Sequence, residues 1–427
     1  MLAQRGSSGR IGVWAALALA LLGACSKDPR ASSSSATTSS ASPAPSASAV
    51  AISAPPGDPE RGRALVAELE CSRCHDGLDA PASTFEKQCF HCHQQILAGT
   101  FKPPKRLEKL WHDGVMGLRD VPTLTGSKQR LRRGWIAGFL MNPHDLRPRL
   151  GPTMPRLPVS AEQARDIAAF LGAPDDGAPL AGVENANPAR GRKLMEAKGC
   201  PSCHVLGGAP PFEGAAVIKP GDKTVAAGVA LAPDLRNTRE RIPPQTVLAW
   251  IKAPRSIKPD TEMPDFNLTA DEVLDIAAYI LTTPLAPVEL PPPPARLPVL
   301  SRKVGYDEVS AKVFRRTCWH CHGEPDYAVG DGGPGNTGGF GFKPRGLSFV
   351  DYGSVASGFT DDQGVRHSVF EPTADGTPRI VAALLARQQE EAGHARADLR
   401  GMPLGYPSLS PEDIQLVESW VMQGRPP

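Results

Sequence analysis

At 427 residues the chain has room for two to four domains and more than one apolar core. A formal net charge of +2, a pI near 8.1 and 6% aromatic residues, with no run of Lys or Arg, exclude a nucleic-acid-binding surface. Proline is abundant at 45 residues and strand-like alternation is scarce, which favours helices separated by long irregular loops.

Residues 1–24 read as an export signal. Arg5 and Arg10 precede an apolar run from Ile11 to Leu22, shorter than the ~20 residues of a membrane span but suited to a signal h-region. Leu22-Gly23-Ala24-Cys25 resembles the lipobox of bacterial lipoproteins. That resemblance implies cleavage before Cys25, acylation of its sulfur and a firm hold on a membrane surface. The alternative is an ordinary signal peptide with an incidental cysteine. Ser26 in the next position favours the outer membrane over the inner one, with the protein facing the periplasm. Residues 25–57, rich in Ser, Ala and Pro, bury too little apolar area to offset chain entropy and read as a flexible tether.

A first folded segment, residues 58–175, opens with DPERGRAL and carries two Cys-x-x-Cys-His units, Cys71 to His75 and Cys89 to His93. An amphipathic helix, GWIAGFLMNP, and then TMPRLPVSAEQARDIAAFL close it. A second segment, residues 185–284, repeats the pattern: NPARGRKL, one Cys-x-x-Cys-His from Cys200 to His204, VLAWIKAP, and EMPDFNLTADEVLDIAAYI. Residues 285–300 form a Pro-rich, polyproline-like linker that spaces two folded parts. The last segment, residues 301–427, carries CWHCH (Cys318 to His322) and later Met402-Pro403 before a closing amphipathic helix from Pro411 to Met422.

Apart from Cys25, the cysteines form four pairs, and His75, His93, His204 and His322 each follow one. Cys-x-x-Cys-His is the attachment motif of c-type haem. Two thiols one helical turn apart reach the two vinyl groups of one porphyrin, and the adjoining imidazole meets the iron. Four copies that use every remaining cysteine imply four covalently attached haems c. Cys71/Cys74 with Cys89/Cys92 also approach a zinc-ribbon spacing, but a ribbon explains neither the four histidines nor the isolated pairs at Cys200 and Cys318. A redox dithiol needs a βαβ context that is missing from the pattern.

Over nearly all of both repeated segments the chain resembles the class I c-type cytochromes. The resemblance implies a mainly α fold of tandem cytochrome c-like helical domains with long irregular loops. It also implies a loop Met-Pro as sixth iron ligand: Met154 opposite His75, Met263 opposite His204, and Met402 opposite His322 in a divergent third domain. His204 to Met263 spans 59 positions and His75 to Met154 spans 79; the excess accommodates the second motif, whose haem is an inserted extra one. Its sixth ligand is expected from His112, with Met116, His144, an open iron or a ligand from elsewhere in the chain as alternatives. His91 and His320, inside their own motif loops, cannot reach their own iron and read as surface imidazoles. His367 and His394 are reserve ligands, and GDGGPGNTGGFGF reads as a haem-edge loop because it lacks the Lys-Ser/Thr ending of a phosphate cradle.

These features describe a lipid-anchored electron carrier between redox proteins of the respiratory chain at the cell envelope, not an enzyme. Two other readings stand beside it. One is a dihaem-peroxidase-like enzyme with one open haem, a family that APDLRN (Ala232 to Asn237) resembles. The other is a cytochrome subunit of a membrane dehydrogenase complex.

Overall fold

The computed structural model describes residues 56–427 other than 85–86, 102–104, 106–107, 116–120, 152, 176–179, 214–227, 288 and 324–339. The signal, Cys25, nearly all of the tether, Met116 and most of the Gly-rich run lie outside these residues, and so does the Cys89 side chain. The longer helices of the first segment are α1 (Pro59–Glu68), α2 (Cys89–Leu97), α3 (Glu108–Val115), α4 (Arg133–Met141) and α5 (Ala161–Leu171). Those of the second are α6 (Pro188–Ala197), α7 (Pro244–Lys252) and α8 (Ala270–Thr282). The last segment has a π-helix (Ser310–Cys318), α9 (Arg379–Glu391) and α10 (Pro411–Met422). It also has a two-residue antiparallel ribbon of β1 (Phe359–Thr360) and β2 (Arg366–His367), with Phe359 opposite His367. The chain is thus mainly helical, as its loop-rich pattern predicts.

Matched local signals start the matched helices. Asp58 accepts the Glu60 and Arg61 N–H groups ahead of Pro59, and Asn187 accepts the Arg190 N–H ahead of Pro188. Ser160 with Gln163 opens α5 through a capping box, and Thr269 with Glu272 does the same for α8. The first and last helices of each copy then cross at a glycine. A Cβ on Gly62 would run into the Asp166 carbonyl, and one on Gly191 into the Asp275 carbonyl. At each crossing a buried carboxylate ties the two helices together. Asp166 accepts from Asp58 N (2.7 Å) and Arg61 Nε (2.9 Å). Asp275 accepts from Asn187 N (2.7 Å) and from Arg190.

Among the described residues three larger apolar cores result, each drawn mainly from one segment, around Val66 and Ile167, around Met195 and Ile276, and around Val313 and Trp420, and a small fourth gathers Ile96, Trp111 and Val115. The third departs from the crossing seen in the repeats. Its leading helix is wound as π up to the first motif cysteine, closed by Trp319 N to Phe314 O at 2.8 Å. Fully buried Trp420 packs there against Tyr306, Phe314 and Phe370.

Pro55–Pro427 forms one compact unit. The repeats join through Arg132 N to Arg241 O (2.9 Å), Asp234 N to Leu146 O (2.8 Å) and Thr246 Oγ1 to Gln129 O (3.0 Å). The first and last segments join through Arg156, which donates to the Arg396 and Leu399 carbonyls (2.6 and 2.8 Å) and pairs with buried Glu390 at 3.1 Å. The C-terminal end of the Pro-rich segment lies along α10. Arg296 pairs with Glu418, Gln415 Nε2 donates to the Pro298 carbonyl (2.6 Å), and Leu300 N donates to Ser419 Oγ (2.9 Å). Prolines have no N–H to satisfy, so their carbonyls are open to side-chain donors. Among the described residues no helix is long and apolar enough to cross a membrane.

Candidate functional site

Each repeat begins its motif with a single tight turn. Cys71–Arg73 and Cys200–Ser202 are 3-10 turns, and the motif histidine closes back on the first cysteine: His75 N to Cys71 O and His204 N to Cys200 O, both 3.0 Å. The residue before each turn is left-handed. The second repeat places Gly199 there (φ 75°), whereas the first places Glu70 (φ 51°), a conformation that costs an L-residue about 1–2 kcal/mol. Glu70 is held by Lys87 Nζ at 2.8 Å and by buried Arg73 at 2.6 Å.

The proximal rings are fixed by backbone carbonyls. His75 Nδ1 donates to Pro122 O and His204 Nδ1 to Pro233 O, each at 2.9 Å. With Nδ1 engaged, Nε2 is the nitrogen left to bind a metal, the arrangement that orients ligating histidines generally. Burial holds both imidazoles below their ordinary pKa, so they are neutral and have a lone pair to give. His322 is held similarly against Leu347, and burial pushes it down to about 4. Burial also pushes the Cys71 and Cys200 thiols up to about 11 and Cys318 up to about 12.

A continuous cavity of about 670 Å³ runs between the repeats. Cys71, Cys74, His75 and Met154 line it from one side; Cys200, Cys203, His204 and Met263 line it from the other. Its walls are apolar, with Trp135, Ile167, Trp250 and Ile276 prominent. Two guanidiniums also reach it. Arg130 donates through Nη2 to the Thr123 and Thr125 carbonyls (3.0 and 2.9 Å), and Arg241 lies 5.9 Å from the Trp135 ring centre. The Nε of each finds no hydrogen-bond partner among the described residues. Burial, with Arg130 nearby as a second positive charge, pushes Arg241 down to about 10. Two such cations in one apolar space call for an anionic guest.

These residues fit covalent haem: paired thiols, an oriented neutral imidazole, a thioether lining the same apolar space, and unspent guanidinium N–H groups for the porphyrin's carboxylates. Haem, when bound, supplies an iron that cycles between ferrous and ferric; the chain's own residues orient, ligate and keep the site dry. Pro122, Arg130, Pro233 and Arg241 were not singled out from the sequence. A signal was nonetheless present, since Pro122-x-Leu124-x-x-Ser127-x-x-Arg130 aligns without a gap with Pro233-x-Leu235-x-x-Thr238-x-x-Arg241.

The second motif sits elsewhere. Cys92 packs on α2 and α3 against Ile96 and Trp111, away from the core that holds Cys71. This separation differs from a zinc ribbon, whose four sulfurs converge. The His93 ring is buried at 3% exposure. His112 points from α3 into solvent, 55% exposed beside Asp113, and His144 lines the cavity between the repeats. Neither is brought to His93. His320 is: its ring centre lies 6.0 Å from that of His93. His320 is half-buried, at the junction with the first segment rather than within it. His91 instead hydrogen-bonds Asp76 (2.9 Å) and Gln88 near the surface. His367 is engaged by Asp361 (2.7 Å), and His394 is exposed. In the third core Cys318 and Met402 pack against the same apolar cluster, and His322 meets its Phe349 edge-on at 5.8 Å.

A mainly α scaffold with paired thiols, oriented imidazoles and facing thioethers defines a haem-based electron-transfer protein as the class. Within the chain, residues 188–284 match the family model described as Cytochrome c, so this part is similar to a family that supports covalently bound haem c. No curated protein and no solved structure matches the chain.

Proposed function

We propose that the chain is a lipid-anchored tetrahaem c-type cytochrome that carries electrons between redox proteins of the respiratory chain in the cell envelope. The shared cavity carries this reading. Two Cys-x-x-Cys-His motifs and their methionines line one continuous, largely apolar space, which would bring two iron centres close to each other. Low local polarity keeps reorganisation small, and thioether ligation favours the ferrous state. The methionines would close the sixth positions that a peroxidase leaves open. The anchor at Cys25 and the tether of residues 25–57 would give reach from the membrane surface into the periplasm, with the outer membrane favoured.

A pyridine haemochrome assay with intact mass, on protein matured in a host competent for c-type attachment, is expected to count four haems. A redox titration is expected to resolve waves of differing potential, and the ferric spectrum to be low-spin. A colourless or zinc-retaining product would overturn the haem reading. A high-spin iron that turns over peroxide would replace the carrier with the enzyme. Mutating Cys25→Ser is expected to release the protein from the membrane fraction; retention would remove the lipid anchor.

A further inference from the structure

From the approach of two rings belonging to different segments, we infer that His320 is the sixth ligand of the haem attached at Cys89/Cys92, opposite His93. The inference deepens the tetrahaem reading and rests on it. Two imidazoles on opposite sides of one iron place their ring centres about 6 Å apart, from about 2 Å per metal–nitrogen bond and about 1 Å from nitrogen to ring centre. The observed separation is 6.0 Å, with the ring planes 43° apart. His93 is buried, and its Nδ1 finds no hydrogen-bond partner among the described residues. His320 is half-buried, and a buried imidazole nitrogen without a partner, as at His93, is costly unless a bound group takes it up.

The local chain geometry explains why His320 is available. The turn that follows the π-helix brings His322 back onto Cys318 O at 2.9 Å and turns its ring to Phe349 and Leu347. His320 lies within the thiol-bearing loop itself, too close along the chain to reach the iron that His322 holds. It is directed instead across the junction with the first segment, where α3 packs near the π-helix. The inserted haem thus hangs covalently from one segment and is coordinated by another. His320 adjoins Cys321, so the haems of the second and fourth motifs become immediate neighbours. Bis-imidazole ligation also gives this haem a lower potential than the three His/Met centres.

The test uses the full, haem-loaded chain. In His320→Ala the intact mass is expected to keep four haems, while one bis-imidazole signal in electron paramagnetic resonance and near-infrared magnetic circular dichroism disappears. One iron becomes high-spin, and added imidazole restores it. His320→Met is expected to raise the potential of the lowest wave. Four haems with unchanged spectra in both variants would overturn the ligand assignment alone, and loss of the same signal in His112→Ala would transfer it to His112. A wild-type peptide carrying Cys89 and Cys92 without haem would overturn this inference and the tetrahaem count together.

Discussion

The two repeats hold the same scaffold with different loops. Gly62 and Gly191, Asp166 and Asp275, and Pro122 and Pro233 occupy equivalent places and make equivalent contacts. Yet the chain from the motif histidine to the carbonyl that orients it runs 47 positions in the first repeat and 29 in the second. The first repeat spends its extra length on α2 and α3, which carry the additional motif. A scaffold of this kind tolerates such an insertion because the loop's two ends stay pinned by one hydrogen bond, and lengthening a closed loop costs little entropy. The insertion brings thiols and a proximal imidazole but no equivalent of the Met-Pro loop, and so it depends on a neighbour for its remaining ligand.

Substitutions made in parallel sharpen or break this equivalence. The largest effect is expected from Met154→Ala and Met263→Ala, each converting one iron fully from low-spin to high-spin and lowering its potential. If only one of the pair did so, the two sites would not be equivalent. Gly62→Ala and Gly191→Ala come next. Each should cost about 3 kcal/mol or more in denaturant unfolding, because the added methyl meets a backbone carbonyl that cannot yield.

Asp166→Asn and Asp275→Asn should each cost about 2 kcal/mol, the range for hydrogen bonds to a charged group. For Asp166 the hydrogen bond from Arg61 holds the carboxyl below the usual range. Its contribution is therefore complete above the unfolded aspartate value of about 3.9 and is lost as pH falls through the lower folded value. Asp166→Asn should flatten stability across that acid window; an unchanged acid limb would remove the pair from the account. Smallest is Gly199→Ala, which imposes on the second repeat the left-handed strain the first already carries at Glu70, at about 1 kcal/mol. A larger loss would mean the two turns are not interchangeable.

Much of this was legible in the chain. Helix starts are written locally in Asp58-Pro59, Asn187-Pro188 and the two capping boxes, and the motif turns depend on five consecutive residues. What escaped depended on distance or on the backbone. The Pro122 and Pro233 carbonyls have no side-chain signature, although the residues around them repeat. Helix α9 hid because its buried face includes Arg387 and Glu390, charges whose partners, among them the Tyr406 carbonyl (2.9 Å), Gly401 N (2.8 Å) and Arg156 from another segment, lie far along the chain. The meeting of His93 with His320 joins residues whose proximity no local pattern encodes, and a reading confined to one motif at a time assigns the second ring to solvent.

The space between the repeats belongs to neither of them. Trp135 and Phe139 from one copy and Met195 and Trp250 from the other line it together, so a version of the chain cut between residues 175 and 185 would leave two half-vessels. Water admitted there would solvate the guanidiniums of Arg130 and Arg241, whose Nε groups have no other partner among the described residues. The duplication therefore gives its two copies one vessel in common, lined from both sides.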